Sequence, residues 1–175
     1  SQSEGQDPVF RVENGATLRN VILGNNGVDG VHFYNGGNLQ NFRWTNVGED
    51  AFTIKSSGTV NVSGGNVNYA NTIGGTGLAG TAINKTGGGM LTLSATNTFI
   101  GNINITSGTL SVAGTSNLGD ANNRIAISNF ATFGVTANAT FASGRAISLA
   151  GVSTIDIASA ATATLQGVVS NGTSA

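Results

Sequence analysis

Apolar and polar residues alternate along most of this chain in short runs, most of them closed by Gly or Asn. Val9-Phe10-Arg11-Val12 leads into the turn Glu13-Asn14-Gly15, and the runs Thr17–Leu23, Val31–Tyr34, Leu39–Trp44, Ala51–Lys55 and Thr59–Val62 follow. Period-two alternation rich in Val, Ile, Leu, Thr and Phe predicts strands, and the N-G, G-G and S-G pairs between the runs predict turns. The pattern resumes over Met90–Ser94, Ile103–Ile105, Thr109–Val112, Ile125–Ile127, Ala146–Leu149, Thr154–Ile157 and Ala163–Leu165. No stretch carries the period of an amphipathic helix. The fold class is all-β.

The runs repeat. T-L-R-N-V-I-L (17–23) lies over N-L-Q-N-F-R-W (38–44), and the same offset carries V-D-G-V (28–31) onto E-D-A-F (49–52) and Asn38 onto Thr59. A period near 20 built of short alternating runs marks a solenoid, one coil per period. Asn20 and Asn41 share a repeat position, where stacked amides bond each other along the solenoid axis. A sandwich also has many short strands, but the monotony of the repeats and the lack of long two-faced strands favour the solenoid. Near Gly64 the composition shifts to Gly, Ala, Thr, Ser and Asn, which divides the chain into coils over 1–65, a Gly/Asn-rich junction over 66–82 and further coils over 83–175.

Composition narrows the classes of function. Only 9% of residues are charged and the formal net charge is −1, so nothing attracts nucleic acid or an anionic membrane surface. The absence of Cys excludes disulfides and thiolate metal sites. No apolar run approaches the length of a membrane helix, and the polar start S-Q-S-E-G-Q-D is unlike a signal peptide, so export requires a signal that has been removed or lies outside this sequence.

The chemistry concentrates in residues 27–57, which hold three of the eight carboxylates and the only His and Trp. In a parallel solenoid, equivalent residues of successive coils sit about 4.8 Å apart. Asp29 and Asp50 therefore stack on one turn, with Glu49 beside them. Carboxylates that close need a cation, a shared proton or splayed rotamers, and Ca²⁺ suits a hard oxygen cluster. His32 stands alone, so no Ser-His-Asp constellation forms within one chain; it is read as a packed residue beside the acidic turn. Phe10, Phe33, Tyr34, Phe42, Trp44 and Phe52 make either a sugar-stacking platform or, for Phe42 and Trp44 especially, core. Gly87-Gly88-Gly89 lacks the Lys-Ser and the following helix of a phosphate loop. Arg124 and Arg145 read as isolated surface charges.

Residues 4–24 (E-G-Q-D-P-V-F-R-V-E-N-G-A-T-L-R-N-V-I-L-G), 28–32 (V-D-G-V-H) and 47–65 (V-G-E-D-A-F-T-I-K-S-S-G-T-V-N-V-S-G-G) resemble the small pectate lyases of polysaccharide lyase family three in order, spacing and identity. The resemblance implies a right-handed parallel β-helix and Ca²⁺-dependent β-elimination of polygalacturonate. It also implies that Asp29, Glu49 and Asp50 are calcium ligands and that Lys55 is a substrate-contacting lysine. The departures are as specific. The family continues past S-G-G with a coil bearing a D-K pair and then coils supplying a catalytic Lys and Arg, whereas Gly65 is followed here by N-V-N-Y-A-N-T-I-G-G. No Lys or Arg occurs between Lys55 and Lys85. Phe33 stands near where the family carries Cys, and the coils that precede E-G-Q-D in the family are missing. Residues 83–112 (I-N-K-T-G-G-G-M-L-T-L-S-A-T-N-T-F-I-G-N-I-N-I-T-S-G-T-L-S-V), 116–120 (S-N-L-G-D) and the looser stretch to 172 resemble the passenger repeats of bacterial autotransporters, also right-handed β-helices, which are displayed on cell surfaces or secreted. Such a join is expected of a fragment, a fusion or an engineered solenoid.

Three readings follow. The first is a non-catalytic secreted or surface β-solenoid, a scaffold or filament-forming unit that stacks end to end through its open coils and retains a remnant calcium and acidic-polysaccharide site. The second is a working pectate lyase in which Lys55 or Arg43 serves as base and Trp44 and Lys55 contact substrate. The third is a Ca²⁺-dependent binder of acidic polysaccharide, which needs the carboxylates but no base.

Overall fold

Alternating runs of this length cannot bury both of their faces alone, and the chain resolves this by winding into about seven turns of a parallel β-helix. The structure is a computed structural model that describes residues 7–24, 29–45, 50–55, 60–75 and 80–172. The first sheet orders β1 (Phe10–Glu13), β3 (Val31–Tyr34), β5 (Asp50–Ile54) and β8 (Thr72–Gly75). The longest sheet orders β2 (Thr17–Leu23), β4 (Gly37–Trp44), β6 (Val60–Ser63), β9 (Thr81–Lys85), β11 (Asn102–Ile105), β13 (Ile125–Ile127), β16 (Ile147–Leu149) and β19 (Val169–Asn171). A third face is formed by β7 (Val67–Tyr69), β10 (Met90–Leu93), β12 (Thr109–Val112), β14 (Thr132–Val135) and β17 (Thr154–Ile157), with β15 (Ala139–Phe141) paired to β18 (Ala163–Leu165). A 3₁₀ turn, Thr115–Leu118, is the one helical element among the described residues.

The offset between repeats holds where the first coils meet: Phe10 pairs with Val31, Val31 with Phe52 and Thr17 with Asn38. The next coil is longer on the long sheet. Asn38 pairs with Asn61, not with Thr59 as the repeat arithmetic expected, and Thr59 lies outside the described residues. A slip of two keeps every side chain on its own face, which is why the alternation survives it. The register then continues from Asn61 to Asn84, Asn104, Ala126, Ser148 and Ser170, one residue per coil along the outer face. Residues 66–82 carry β7, β8 and the start of β9, all paired to neighbouring coils.

Amide stacks secure this register. Asn41 Nδ2 donates to Asn20 Oδ1 at 3.0 Å, as their shared repeat position predicts, and both residues hold positive φ. Asn35 and Asn14 repeat the arrangement at 3.1 Å. On the long sheet Asn61 donates to Asn38 at 2.7 Å and Asn84 to Asn61 at 2.9 Å. That row breaks at a bulge between Asn102 and Ile103, where Asn104 turns to Thr81 Oγ1 and leaves Asn84 Oδ1 buried without a partner.

The inward positions form one continuous core. Leu39, Val60, Ile83, Ile103, Ile125 and Ile147 line it from the long sheet, and Phe33, Phe52 and Ile73 from the first. Each fully buried side chain of this kind contributes about 1.5–3 kcal/mol of transfer free energy. No helix among the described residues is long and apolar enough to cross a membrane.

Two basic residues lie inside the rod. Arg145 is buried rather than a surface charge, and its guanidinium donates to the carbonyls of Leu118, Gly119, Asp120 and Asn123. Lys85 points inward and donates from Nζ to Thr86 O, Gly87 O and Ser107 O, gathering the glycine corner, while burial lowers its pKa. Backbone carbonyls meet most of the hydrogen-bonding need that would otherwise forbid a buried cation, although Arg145 Nε stays buried without a partner.

Candidate functional site

The acidic turn stands at the entry to β3 and β5. Gly30 N donates to Asp50 O at 3.1 Å, and Val9 N to Asp29 O at 2.9 Å, so Asp29 and Asp50 occupy equivalent positions on adjacent coils. Each carboxylate is held by a residue three places further along its own coil. Asp29 Oδ2, on a buried side chain, lies 2.9 Å from His32 Nε2, and Asp50 Oδ2 accepts from Thr53 Oγ1 at 3.1 Å. His32 and Thr53 are themselves register partners. The coils thus repeat one device, a carboxylate with a donor at i+3. The sequence spells it as D-x-x-H and D-x-x-T, a signal that attention to the acids alone misses. Gly74, the next residue in that column, leaves the space Asp50 uses, since a Cβ there would lie 2.5 Å from Asp50 Oδ2.

His32 is buried, as the reading of a packed residue beside the turn expected. Burial lowers its pKa and the Lys55 charge lowers it further, against the opposing pull of Asp29. A carboxylate only accepts, so the network assigns the proton of the neutral ring to Nε2, which leaves Nδ1 buried without a partner. Stability is expected to depend on pH here. The unfolded chain takes up the imidazole proton below about pH 6.5 while the folded chain resists it, so stability falls as pH drops from there through the folded pKa. Urea midpoints between pH 7.5 and 5.5 measure this slope, and His32→Gln is expected to flatten it.

The other candidates are dispersed. Lys55 is exposed just past β5, with its backbone N donating to Phe33 O at 2.9 Å, near enough for its charge to act on His32. Arg43 is exposed on β4 of the long sheet, paired against Ile22, whereas the acidic turn belongs to the first sheet. Trp44 is in the core: its ring meets Phe42 and Tyr69 edge-on, each at 4.5 Å, and stacks on Phe52 at 6.0 Å, so its faces are not presented to a substrate. Phe33, Phe42 and Phe52 are likewise core residues. Tyr34 faces outward, with the Arg11 guanidinium 4.2 Å above its ring and Arg11 paired to Glu13.

Ca²⁺ takes six to eight oxygen ligands. Among the described residues no group of three His, Cys, Asp or Glu side chains gathers to hold a metal, and Glu49 lies outside them. Asp29 and Asp50 supply hard oxygens, but one oxygen of each is already engaged in its own coil.

Comparison with known proteins finds likeness in two separate stretches of the chain. Residues 1–72 match the family model described as pectate lyase. Residues 83–112 match the passenger-associated-transport-repeat. A probable pectate lyase E of Neosartorya fischeri is 47% identical over 60 residues, covering 33% of this chain and 24% of that protein. Pectate lyase H of Emericella nidulans is 38% identical over 96 residues, covering 53% of this chain and 34% of that protein. The chain therefore spans about a quarter to a third of the length of these relatives. No solved structure matches it.

Proposed function

We propose that the chain is a non-catalytic β-solenoid, a structural scaffold of a secreted or cell-surface protein that carries a lyase-like acidic turn in its first coils. One observation carries the reading: Asp29 and Asp50 are tied inside their own coils to His32 and Thr53, while Arg43 stands on a different sheet. Elimination from a uronate needs a base within hydrogen-bond reach of the C5 proton, and Lys55 is the exposed base this turn offers among the described residues. The pairing that runs from lyase-like β6 into β9 and β11 supports a single rod as the working element. End-to-end association through the outer edges of the sheets belongs to the same reading, and sedimentation at rising concentration tests it.

The deciding assay is ultraviolet absorbance on polygalacturonate. A folded sample is expected to give no rise from unsaturated uronides, with Ca²⁺ or with chelator. A chelator-sensitive rise that disappears in Asp50→Asn overturns the scaffold reading and makes the chain a Ca²⁺-dependent pectate lyase with Lys55 as the first base to test. The stacked carboxylates and the match over residues 1–72 support a second, binding reading, in which Ca²⁺ joins Asp29, Asp50 and Glu49 to an acidic polysaccharide without turnover. A rise in melting temperature with Ca²⁺, reversed by chelator and absent in Asp50→Asn, is its signature.

A further inference from the structure

Among the described residues, positive φ falls on Gly and Asn with one exception: Phe130 holds φ +62°. Bulky side chains are rare in that region because Cβ crowds the following carbonyl. The turn that imposes it joins β13 to β14. Ala131 N donates to Ser128 O at 3.0 Å, which puts Phe130 in the third place of a four-residue turn, where a positive φ calls for Gly or Asn. The next coil fixes the turn, since Phe130 N donates to Val152 O at 3.1 Å and Val152 N to Asn129 Oδ1 at 2.8 Å. In that coil's own turn the left-handed residue is Gly151.

The ring brings the fold nothing in return. Phe130 is 76% exposed, the most exposed large hydrophobic residue among those described, and it takes no part in the core. Val152, its neighbour on the next coil, is exposed as well. Strain of this kind, held in place by its surroundings, points to a role at the surface. Beside the turn, on the outer face of the long sheet, lies a depression of about 180 Å³. Ser128, the first residue of the turn, lines it with Asn104, Thr106 and Ser148 around the small side chains of Ala126 and Ala150, and no charged residue is among its walls. Four residues of chain reach at most about 14 Å, so Phe130 and the floor at Ala126 lie within the length of a short oligosaccharide.

We propose that Phe130 and this depression form a binding site for a neutral, β-linked glycan, with one pyranose ring seated on Phe130 and the next hydrogen-bonded through its hydroxyls to Ser128, Ser148, Thr106 and Asn104. A pyranose with equatorial substituents combines a flat face of C–H groups, which suits an aromatic ring, with a rim of hydroxyls, which suits side chains that both donate and accept. The uncharged walls select against a polyanion, whose carboxylates would lose water and gain no partner. The apolar pair of Phe130 and Val152 falls far short of the roughly 1,000 Å² that a stable contact between copies needs. Neither Ca²⁺ nor the acidic turn takes part, so the failure of this proposal and the failure of the scaffold reading are told apart by different assays.

The experiment is calorimetric titration of the full chain, in chelator, with cellohexaose and with N-acetylchitohexaose, and with hexagalacturonate as the charged comparison. Expected are binding of at least one neutral oligomer that salt does not weaken, no competition by hexagalacturonate, a loss of about ten-fold or more in Phe130→Ala, and retention in Phe130→Trp. Phe130→Gly is expected to lose binding by the same factor and yet to raise the urea midpoint, because Gly adopts this φ without penalty. A purely structural residue would not move the two readouts in opposite directions. Binding of neither neutral oligomer, equal affinity for hexagalacturonate, unchanged affinity in Phe130→Ala, a lower midpoint in Phe130→Gly, or dimerisation that Phe130→Ala abolishes would each overturn the proposal.

Discussion

Replacing Arg145 with methionine is expected to cost about 3 kcal/mol, because it strips the donor from a buried set of carbonyls and leaves nothing in its place. Its closest bonds run from Nη2 to Asp120 O at 2.8 Å and from Nη1 to Asn123 O at 2.9 Å, with Leu118 O and Gly119 O behind them. These carbonyls belong to the turn of the preceding coil, so the side chain staples one coil to the next across a full winding of the solenoid. A buried carbonyl left without a donor costs about 1–3 kcal/mol, and the partial exposure of Asp120 keeps the total toward the lower part of the sum for two. Lysine is expected to rescue only part of the loss, because one ammonium cannot match the fork that reaches both close carbonyls. Arg124→Met, at an exposed position, is expected to stay within about 0.5 kcal/mol. Urea denaturation of the three variants measures this. Because a solenoid loses stability coil by coil, hydrogen exchange is expected to rise first around β13 and β16. Equal midpoints for Arg145→Met and Arg124→Met would show that the cage carries no stability.

Arg145 also marks a limit of reading from sequence. Alternation tells which face a strand residue takes and turned Phe42 and Trp44 inward, while the repeat offset placed the Asn20–Asn41 stack. Arg145 lies outside a strand, in the turn before β16, where no periodicity applies. What buries it is a ring of carbonyls, and backbone groups leave no trace in side-chain pattern. Lys85 is the complementary case: it falls on the inward parity of β9, directly after Ile83 and Asn84, so alternation alone would have turned it inward. Strands β7 and β8 were missed because Val67-Asn68-Tyr69 and Thr72–Gly75 are short and rich in Asn and Gly, the residues that signal turns elsewhere. They are strands because a neighbouring coil offers each of them an edge, β10 to β7 and β5 to β8, a tertiary cause that local propensity does not register.

The site was legible to the same depth. The offset that lays Thr17 on Asn38 was enough to stack Asp29 on Asp50, because the first coils keep that length, and it failed only after Asn38, where the next coil lengthens by two. The i+3 partners were written in the sequence, but their significance rests on rotamers: each carboxylate turns along its own coil rather than toward the other coil. Arg43, considered as a base, lies close to Asp50 in sequence. In this solenoid β4 and β5, consecutive in sequence, belong to different sheets. Proximity along the chain counts for less here than proximity across coils.

Gly30→Ala is expected to be the most damaging one-carbon change in the first coils. A Cβ at Gly30 would stand 2.1 Å from Ala51 O and 2.9 Å from Asp50 O, both of them backbone atoms of the next coil. Ala51 is fully buried and Gly30 N is already bonded to Asp50 O, so relief requires the two coils to part at the acidic turn. Overpacking against backbone of this kind costs about 3 kcal/mol. Gly15→Ala separates sterics from torsion: Gly15 holds φ +77° with open space around it, so alanine there meets only the left-handed backbone penalty of about 1 kcal/mol. The ratio of the two losses, read from urea midpoints, is therefore the measure of how tightly the coils stack beside Asp29 and Asp50. A Gly30→Ala variant as mild as Gly15→Ala would mean that the turn yields freely. In that case the spacing of the two carboxylates would be set by their ligands rather than by the fold, and the calcium-binding reading would gain at the expense of the scaffold.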